Sequence, residues 1–521
     1  MEPQDDLAVP GPLTTAGDGV TGDGVTGGGV TGGGVTGSAV GGSVAGGGTA
    51  GGVAGGGAVG GSGAVGGGVV GGGVAGGGAV GGGAVGGGAI GGGVIGGSVI
   101  GGSVAGGGAG GIAIPAGVRE LAESLGGDDA ALPAYLYDLD GLAAHVAGIR
   151  AAIPGGIEVF YAVKANPDPA LLRVVAGQAD GLEVSSGGEL RHAAEAAPGR
   201  RLAFGGPGKT TAELAGAIAA GTFRFHVESP QELYLLTSAA RAAGRQVDIL
   251  LRVNLPAGAS TPGQVVPDAA SGLVMGGGPA PFGMDPVLLD HCARWLAAEG
   301  AGQVRLRGLH AHLASGLDAD ALLGAAARIL SFGRQWCARH GLRRPEFNLG
   351  GGMAVDYRKP SAVFDWARYG RGLALARRPG ETLRIEPGRA VTAYCGWYAT
   401  RVLDVKRSHG QAFAVVAGGT HHLRTPVAKG HDQPFAVLPV GDWPHGWPRP
   451  GVTAEPVTIV GQLCTPKDIL ARQVTVARLR AGDLVAFGLA GAYAWNISHH
   501  GFLMHPHPGF HYVGTGCQCH E

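Results

Sequence analysis

Glu158-Val-Phe-Tyr-Ala-Val-Lys164-Ala-Asn-Pro167 is a β-branched and aromatic run that ends on a lysine, with Pro167 and Pro169 punctuating the exit. Residues 157–163 read as a buried strand. An ammonium at the end of such a run is unfavourable unless it is paired or neutralised. Condensation with a carbonyl cofactor neutralises it, and a lysine used in this way is a device of covalent catalysis. A lysine snorkelling from a strand end also fits this stretch taken alone. The pattern on either side has to decide.

Downstream, strands and helices alternate. Residues 181–184, 202–204, 223–227, 247–253, 304–312, 346–349 and 382–385 read as short strands with helical stretches between them. With the lysine strand they make eight units over about 240 residues, the length of a (β/α)8 barrel. A doubly wound open sheet is the competing architecture. The barrel is preferred because the count is eight and each polar oddity stands at a strand's C-terminal end. Upstream, residues 135–138 form a strand and Asp140 a helix cap; Leu142, Val146, Ile149 and Ile153 then share one helical face. After Arg389 the texture becomes short β-rich runs between Gly, Pro and Asp turns, without helical periodicity. The 135–138 strand can join this all-β domain. The expected fold class is α/β, a TIM barrel plus a C-terminal all-β domain. The expected organisation is a tail (1–112), a strand and helix (113–150), the barrel (151–389), the β-domain (390–513) and a short tail (514–521).

Glycine accounts for 107 of the 521 residues, and most of the excess precedes Ala113. Val20, Val25, Val30 and Val35 mark a five-residue step that then decays. There is no Gly-X-Y period, which excludes collagen. Isolated Val and Ala cannot offset the backbone entropy of so many glycines, so this tail is expected to be disordered. A formal net charge of −1 gives no reason to expect nucleic acid or a membrane as partner. The acidic start, Met1-Glu-Pro-Gln-Asp-Asp6, lacks a basic leader, and the interspersed glycines exclude a spanning helix. Six scattered cysteines point to free thiols in a reducing, cytoplasmic setting. Cys517, Cys519 and His520 have metal-ligand chemistry but no second ligand pair, and no metal is expected.

In a barrel enzyme the site is built at the C-terminal ends of the strands. Those ends carry Lys164, Glu183 with Ser186, Gly205-Gly206, His226, Arg252, His310 with His312 and Ser315, Gly350-Gly351-Gly352, and Glu386-Pro-Gly-Arg389. Together they supply an amine, a ring-stacking group, a small-residue phosphate cradle, an acid and an arginine. Pyridoxal 5'-phosphate needs this set. Lys164 can hold it as an imine, and His312 can stack on its ring. Backbone N–H groups of Gly350 to Gly352 can approach phosphate, with Ser315 and Arg389 adding contacts. Glu386 can keep the ring nitrogen protonated, which strengthens the electron sink. Each member has an ordinary structural explanation, as a turn, a core histidine or a surface ion pair. Their joint occurrence at successive strand ends is what singles them out.

On these motifs the chain resembles the fold-type III PLP-dependent decarboxylases, the group of diaminopimelate and ornithine decarboxylases, over about residues 133–513. The matching stretches are Tyr161-Ala-Val-Lys164, Glu183-Val-Ser-Ser-Gly-Gly-Glu189, His310-Ala-His-Leu-Ala-Ser315, Gly350-Gly-Gly352, Glu386-Pro-Gly-Arg389, Gly461-Gln-Leu-Cys464 and Gly491-Ala-Tyr493. Gly418-Gly-Thr-His-His422 and Cys464-Thr-Pro-Lys-Asp468 are similar to the siderophore-biosynthesis branch. The resemblance implies an alanine racemase-like barrel and an amino-acid α-decarboxylase. It implies that Lys164 binds the cofactor, that His312 stacks on it, and that Ser315, Gly350 to Gly352, Arg389 and Tyr493 hold its phosphate. It matches Glu183 to a cofactor contact and Glu386 to the ring-nitrogen partner. It implies that Cys464 returns a proton to Cα from the neighbouring subunit, hence a homodimer with shared sites. Arg424 and Asp468 are candidate contacts to the distal end of a small amino-acid substrate. Two departures bear on that end: Thr465 replaces the acidic residue that follows the cysteine in diaminopimelate decarboxylases, and Glu183 stands where Asp is frequent. The expected substrate is a diamino acid or its citryl conjugate, with diaminopimelate next. A racemase, which favours an arginine at the ring nitrogen, and a non-catalytic PLP-binding regulator are the rival readings.

Overall fold

The computed structural model describes residues 111–128, 130–255, 276–300 and 302–514. The glycine-rich tail and Cys517, Cys519 and His520 lie outside the described residues. A first helix, α1 (Ala116–Leu125), is followed by strand β1 (Ala134–Asp138) and helix α2 (Leu139–Ala152). The side chain of Asp138, rather than Asp140, caps α2 by accepting the Gly141 N–H at 2.8 Å.

Eight parallel strands then close a barrel: β2 (Ile157–Ala162), β3 (Gly181–Val184), β4 (Leu202–Phe204), β5 (Arg224–Val227), β6 (Val247–Arg252), β7 (Val304–His310), β8 (Glu346–Asn348) and β9 (Thr382–Ile385). Closure is made by β9 on β2, with Val159 opposite Ile385. The strands are short and buried on both faces, as a barrel clad in helices requires. Their helices start on well-formed caps. Ser186, Thr210, Ser229 and Asp318 each accept a backbone N–H three residues on, and Thr210 with Glu213 completes a capping box.

The second sheet has eight strands. Its path runs through β12 (Phe435–Leu438), β15 (Leu484–Phe487), β10 (Gly396–Ser408), β11 (Gln411–Val416), β13 (Gly451–Val460) and β14 (Ile469–Arg480). β1 lies antiparallel to β10 and parallel to β16 (Gly509–Val513). The barrel is therefore inserted between strands of one sheet, and β1 carries the chain from that sheet into the barrel. Three features depart from the sequence reading. The run expected as strand from Val391 begins as a helical turn (Arg389–Thr392) and becomes strand only at Gly396. A short helix (Thr425–Lys429) stands inside the domain expected to be all β. α1 and β12 were not foreseen: α1 buries only Val118 and Ala122, and β12 spans four residues just after Pro434.

Candidate active site

Lys164 leaves β2 in a tight turn (Val163–Ala165), so its side chain rises from the C-terminal end of the barrel. That side chain is 43 % exposed, although the strand below it is buried. Its ammonium pairs with Glu183, at the end of β3, and reaches Ser185 Oγ at 3.5 Å. Ser185 Oγ in turn donates to Glu183 at 3.1 Å. Enclosure in the barrel mouth lowers the lysine's proton affinity. The Glu183 carboxylate outweighs it, with a smaller contribution from Glu386, and holds the ammonium above the ordinary lysine range.

The strand on the other side of β2 brings a second acid. Glu386 follows β9 and accepts from Asn348 Nδ2 at 2.6 Å. His226 Nδ1 stands 3.6 Å and His310 Nε2 3.4 Å from its oxygens. Burial alone would raise the Glu386 carboxyl; the two histidines and Lys164 outweigh it and keep it well below the usual carboxylate range. Burial, then His310 beside it, lowers the proton affinity of His226 well below the ordinary imidazole range, against the pull of Glu386. Both ring nitrogens of His310 lack a hydrogen-bond partner among the described residues. Asn348 was not singled out in the sequence, where it is one polar residue in a short strand. It is 0 % exposed and joins the site together: its amide holds Glu386, and its carbonyl accepts the Gly350 N–H at 3.0 Å.

Gly350 and Gly352 occupy φ +69° and +101°, where only glycine sits without strain. A side chain there would strike His312 or the Ala314 carbonyl, and one on Gly351 would lie 2.2 Å from the Glu386 carbonyl. The turn thus packs His312 and Ser315 against the end of β9. The Gly351 N–H donates to His312 Nδ1 at 3.2 Å. Two of the three amides expected to face an anion are therefore engaged within the protein. Burial, then Arg252 and Lys164, hold His312 down to about 3, so its ring is neutral and the proton sits on Nε2.

Arg389 and Tyr493 close the mouth on the β2 side. The guanidinium lies 4.5 Å over the Tyr493 ring and donates to Tyr357 Oη at 2.8 Å. The Tyr493 N–H donates to the Ala165 carbonyl at 2.7 Å, which ties the β-domain to the lysine turn. Of the expected cofactor contacts, the fold thus gathers Lys164, Glu183, His312, Gly350 to Gly352, Glu386, Arg389 and Tyr493 around one barrel end, with Ser315 beside Gly352.

Cys464 is exposed, on the loop between β13 and β14. Among the described residues no hydrogen bond or ion pair joins it to Lys164. Arg424 is exposed too, at the start of the Thr425–Lys429 helix, with no carboxylate partner among the described residues. Asp468, expected to reach the substrate, is 2 % exposed, and its oxygens accept the N–H groups of Thr420 at 2.6 Å and Leu463 at 2.8 Å. It clamps the Cys464 loop onto the Gly418–Thr420 loop instead. Asp468→Ala leaves two buried amides without acceptors, at about 1–3 kcal/mol each. The expected result is a lower denaturation midpoint, read by circular dichroism.

An amine, a buried ionised carboxylate and an arginine with tyrosine hydroxyls match the three ends of one ligand. They suit an aldehyde, a basic ring nitrogen and a phosphate. Residues 139–393 match the pyridoxal binding domain of the pyridoxal-dependent decarboxylases. The 2-((L-alanin-3-ylcarbamoyl)methyl)-2-hydroxybutanedioate decarboxylase of Staphylococcus aureus is 35% identical, over 73% of this chain and 93% of its own. The chain belongs to this family. It is a pyridoxal-dependent decarboxylase, a carboxy-lyase. A second relative, the L-glutamyl-(BtrI acyl-carrier protein) decarboxylase of Niallia circulans, is 32% identical over 72% of this chain and 87% of its own. The diaminopimelate decarboxylase of Helicobacter pylori, solved with L-lysine, superposes with a TM-score of 0.63 over 73% of this chain and 91% of its own. At 23% identity that likeness shows the shared fold.

Asn348 gives a direct test of how this decarboxylase holds its second acid. Asn348→Leu removes a hydrogen bond to a charged, buried group. Cofactor affinity, titrated by visible absorbance, is expected to fall roughly 10- to 100-fold.

Proposed function

We propose that this decarboxylase removes the α-carboxylate of an amino acid whose side chain carries further carboxylates, a citryl conjugate of a short diamino acid used in siderophore assembly. The observation that carries this reading is the likeness to the Staphylococcus aureus enzyme, whose named substrate joins an L-alanine unit to 2-hydroxybutanedioate. Thr465 supports it, since a distal ammonium would favour an acid there. Diaminopimelate is the second reading, favoured by relatives such as the 34% identical enzyme of Actinosynnema pretiosum.

Lys164, Glu183, His312, Ser315, Gly350 to Gly352, Glu386, Arg389 and Tyr493 would hold pyridoxal 5'-phosphate. When bound, it supplies an electron sink for the electron pair left on Cα as CO2 departs. The chain's residues do the rest. Glu183 pairs with Lys164 and positions its nitrogen at the barrel mouth. Glu386, ionised and fixed by Asn348, keeps a ring nitrogen protonated. His312, neutral and oriented by Gly351, offers a flat face without competing for that proton. Cys464 returns a proton to Cα.

Because Cys464 is exposed and unconnected to Lys164 in its own chain, it would serve the site of a second copy in a cytoplasmic homodimer. Mixing Lys164→Ala with Cys464→Ala tests this. Random reassortment restores one intact site in each mixed dimer, about a quarter of wild-type activity. The function itself is tested by CO2 release from citryl-diaminopropionate, diaminobutyrate, ornithine, lysine and meso-diaminopimelate. Release from the conjugate is expected; release from diaminopimelate alone would move the enzyme to lysine synthesis.

A further inference from the structure

Asn496 Nδ2 donates to the Lys164 carbonyl at 2.7 Å, so the loop after Tyr493 lies against the lysine turn. Two residues on, Ser498 Oγ accepts the Arg424 N–H at 3.1 Å and donates to the His422 carbonyl at 3.0 Å. Around this junction gather His421, His422, His499, His500, His505 and His507. The His421 ring lies 4.0 Å from that of His422 and 5.2 Å from that of His505, and Trp495 stacks on His500 at 3.5 Å.

His422 is accounted for: its nitrogens reach Tyr398 Oη and the Pro506 carbonyl, both at 3.0 Å. His421 is not. It is 0 % exposed, and neither ring nitrogen has a partner among the described residues. His499 Nδ1 is likewise buried and unpartnered. An unmade buried hydrogen bond is unfavourable, so these orphaned nitrogens, on a fully buried His421 and on a partly buried His499 near enough to act on it, point to a ligand. Arg424 is close enough to His499 to add to the effect of burial in keeping that ring neutral. Asp468, the acid that acts on His499, already has its oxygens on backbone amides. The region is rich in N–H donors and short of acceptors. A metal is a poor occupant: among the described residues only His226, His310 and Glu386 bring ligand atoms within 4.8 Å of one another. An oxygen-rich anion supplies what is missing.

We propose that His421 and His499, with Arg424 at the rim, form the subsite for the hydroxy-dicarboxylate end of the conjugated substrate. This rests on the reading that the substrate is such a conjugate. Neutral imidazoles suit the task, because each donates a hydrogen bond without bringing a buried charge of its own.

Free citrate is the probe. In the pyridoxal phosphate-loaded wild-type protein it is expected to inhibit decarboxylation competitively with the amino-acid substrate. His421→Phe and His499→Ala are each expected to raise the citrate inhibition constant about 10- to 100-fold, the loss of a hydrogen bond to a charged group. Circular dichroism and the cofactor's visible absorbance confirm that each variant is folded and loaded. Unchanged citrate inhibition in both folded variants overturns the subsite and leaves the decarboxylase reading standing. Non-competitive inhibition also overturns it, by placing citrate at a separate effector site. If the wild type releases CO2 from diaminopimelate and not from the conjugate, the underlying reading fails instead.

Discussion

Lys164→Ala is expected to abolish both the visible absorbance of the bound cofactor and measurable CO2 release. The lysine's ammonium pairs with Glu183, which is itself buried, and its side chain remains partly exposed. Removing a covalent participant costs roughly 10^4-fold or more in kcat, because no neighbouring group replaces its nitrogen. Ser185, within reach of the lysine nitrogen, carries a hydroxyl, and the Lys209 amine is held by Glu232 and two backbone carbonyls. A folded Lys164→Ala protein that kept its visible band would move the cofactor's anchor elsewhere and overturn the site assignment. Adding a small primary amine separates the roles: partial return of CO2 release would show that the lost group acts as a nucleophile and not only as a charge.

The barrel was legible in the sequence because each strand is a short apolar run followed by an outlier: a lysine, an acid, a pair of glycines or a histidine. Two periodicities, one for strands and one for helices, alternate cleanly between residues 157 and 385. The site was legible for the same reason, since strand ends in this architecture converge. Asn348 escaped because its importance lies in three partners, Glu386, His226 and Gly350, that come from separate strand ends. Asp468 looks like a substrate contact in the sequence because it follows Cys464 by four residues; its role shows only once the backbone amides of Thr420 and Leu463 are seen around it. The boundary at residues 389–396 was missed because Val391 and its neighbours are strand-like in composition. Packing beneath the Arg389 turn overrides that preference. The histidine cluster is dispersed over residues 421–507 in the chain and becomes a cluster only when Ser498 docks on His422.

At the far end of the barrel, charges stand in for an apolar plug. Glu346 accepts from Arg224 at 2.8 and 3.0 Å and lies 3.3 Å from Arg384. Arg384 in turn binds Glu158 at 2.5 and 2.9 Å, and Arg201 binds the other Glu158 oxygen at 2.7 Å. The Arg224 and Arg384 side chains are only 3 % and 1 % exposed, and they lie over the Phe223 and Phe160 rings. Glu346→Ala therefore removes the carboxylate shared by two buried guanidinium groups, leaving Arg224 only Asp248 and Arg384 only Glu158 as acidic partners. Breaking a buried network from one side costs about 3–5 kcal/mol, whereas an exposed, solvent-screened pair such as Arg368–Asp320 contributes far less. Chemical denaturation of the two single variants, Glu346→Ala and Asp320→Ala, should show that contrast. Adding Arg224→Met to Glu346→Ala should recover part of the loss, since it removes a buried cation that has lost its bidentate partner. The same network sets the acid limit. Burial would raise the Glu158 carboxyl, but Arg384 and Arg201 outweigh it and hold it below the usual range. Its stabilisation is present above the unfolded value of about 4.3 and is lost as pH falls through the lower folded value. Equal midpoints for Glu346→Ala and Asp320→Ala would mean that the aromatic rings and helix packing, not the ion pairs, hold the base of the barrel closed.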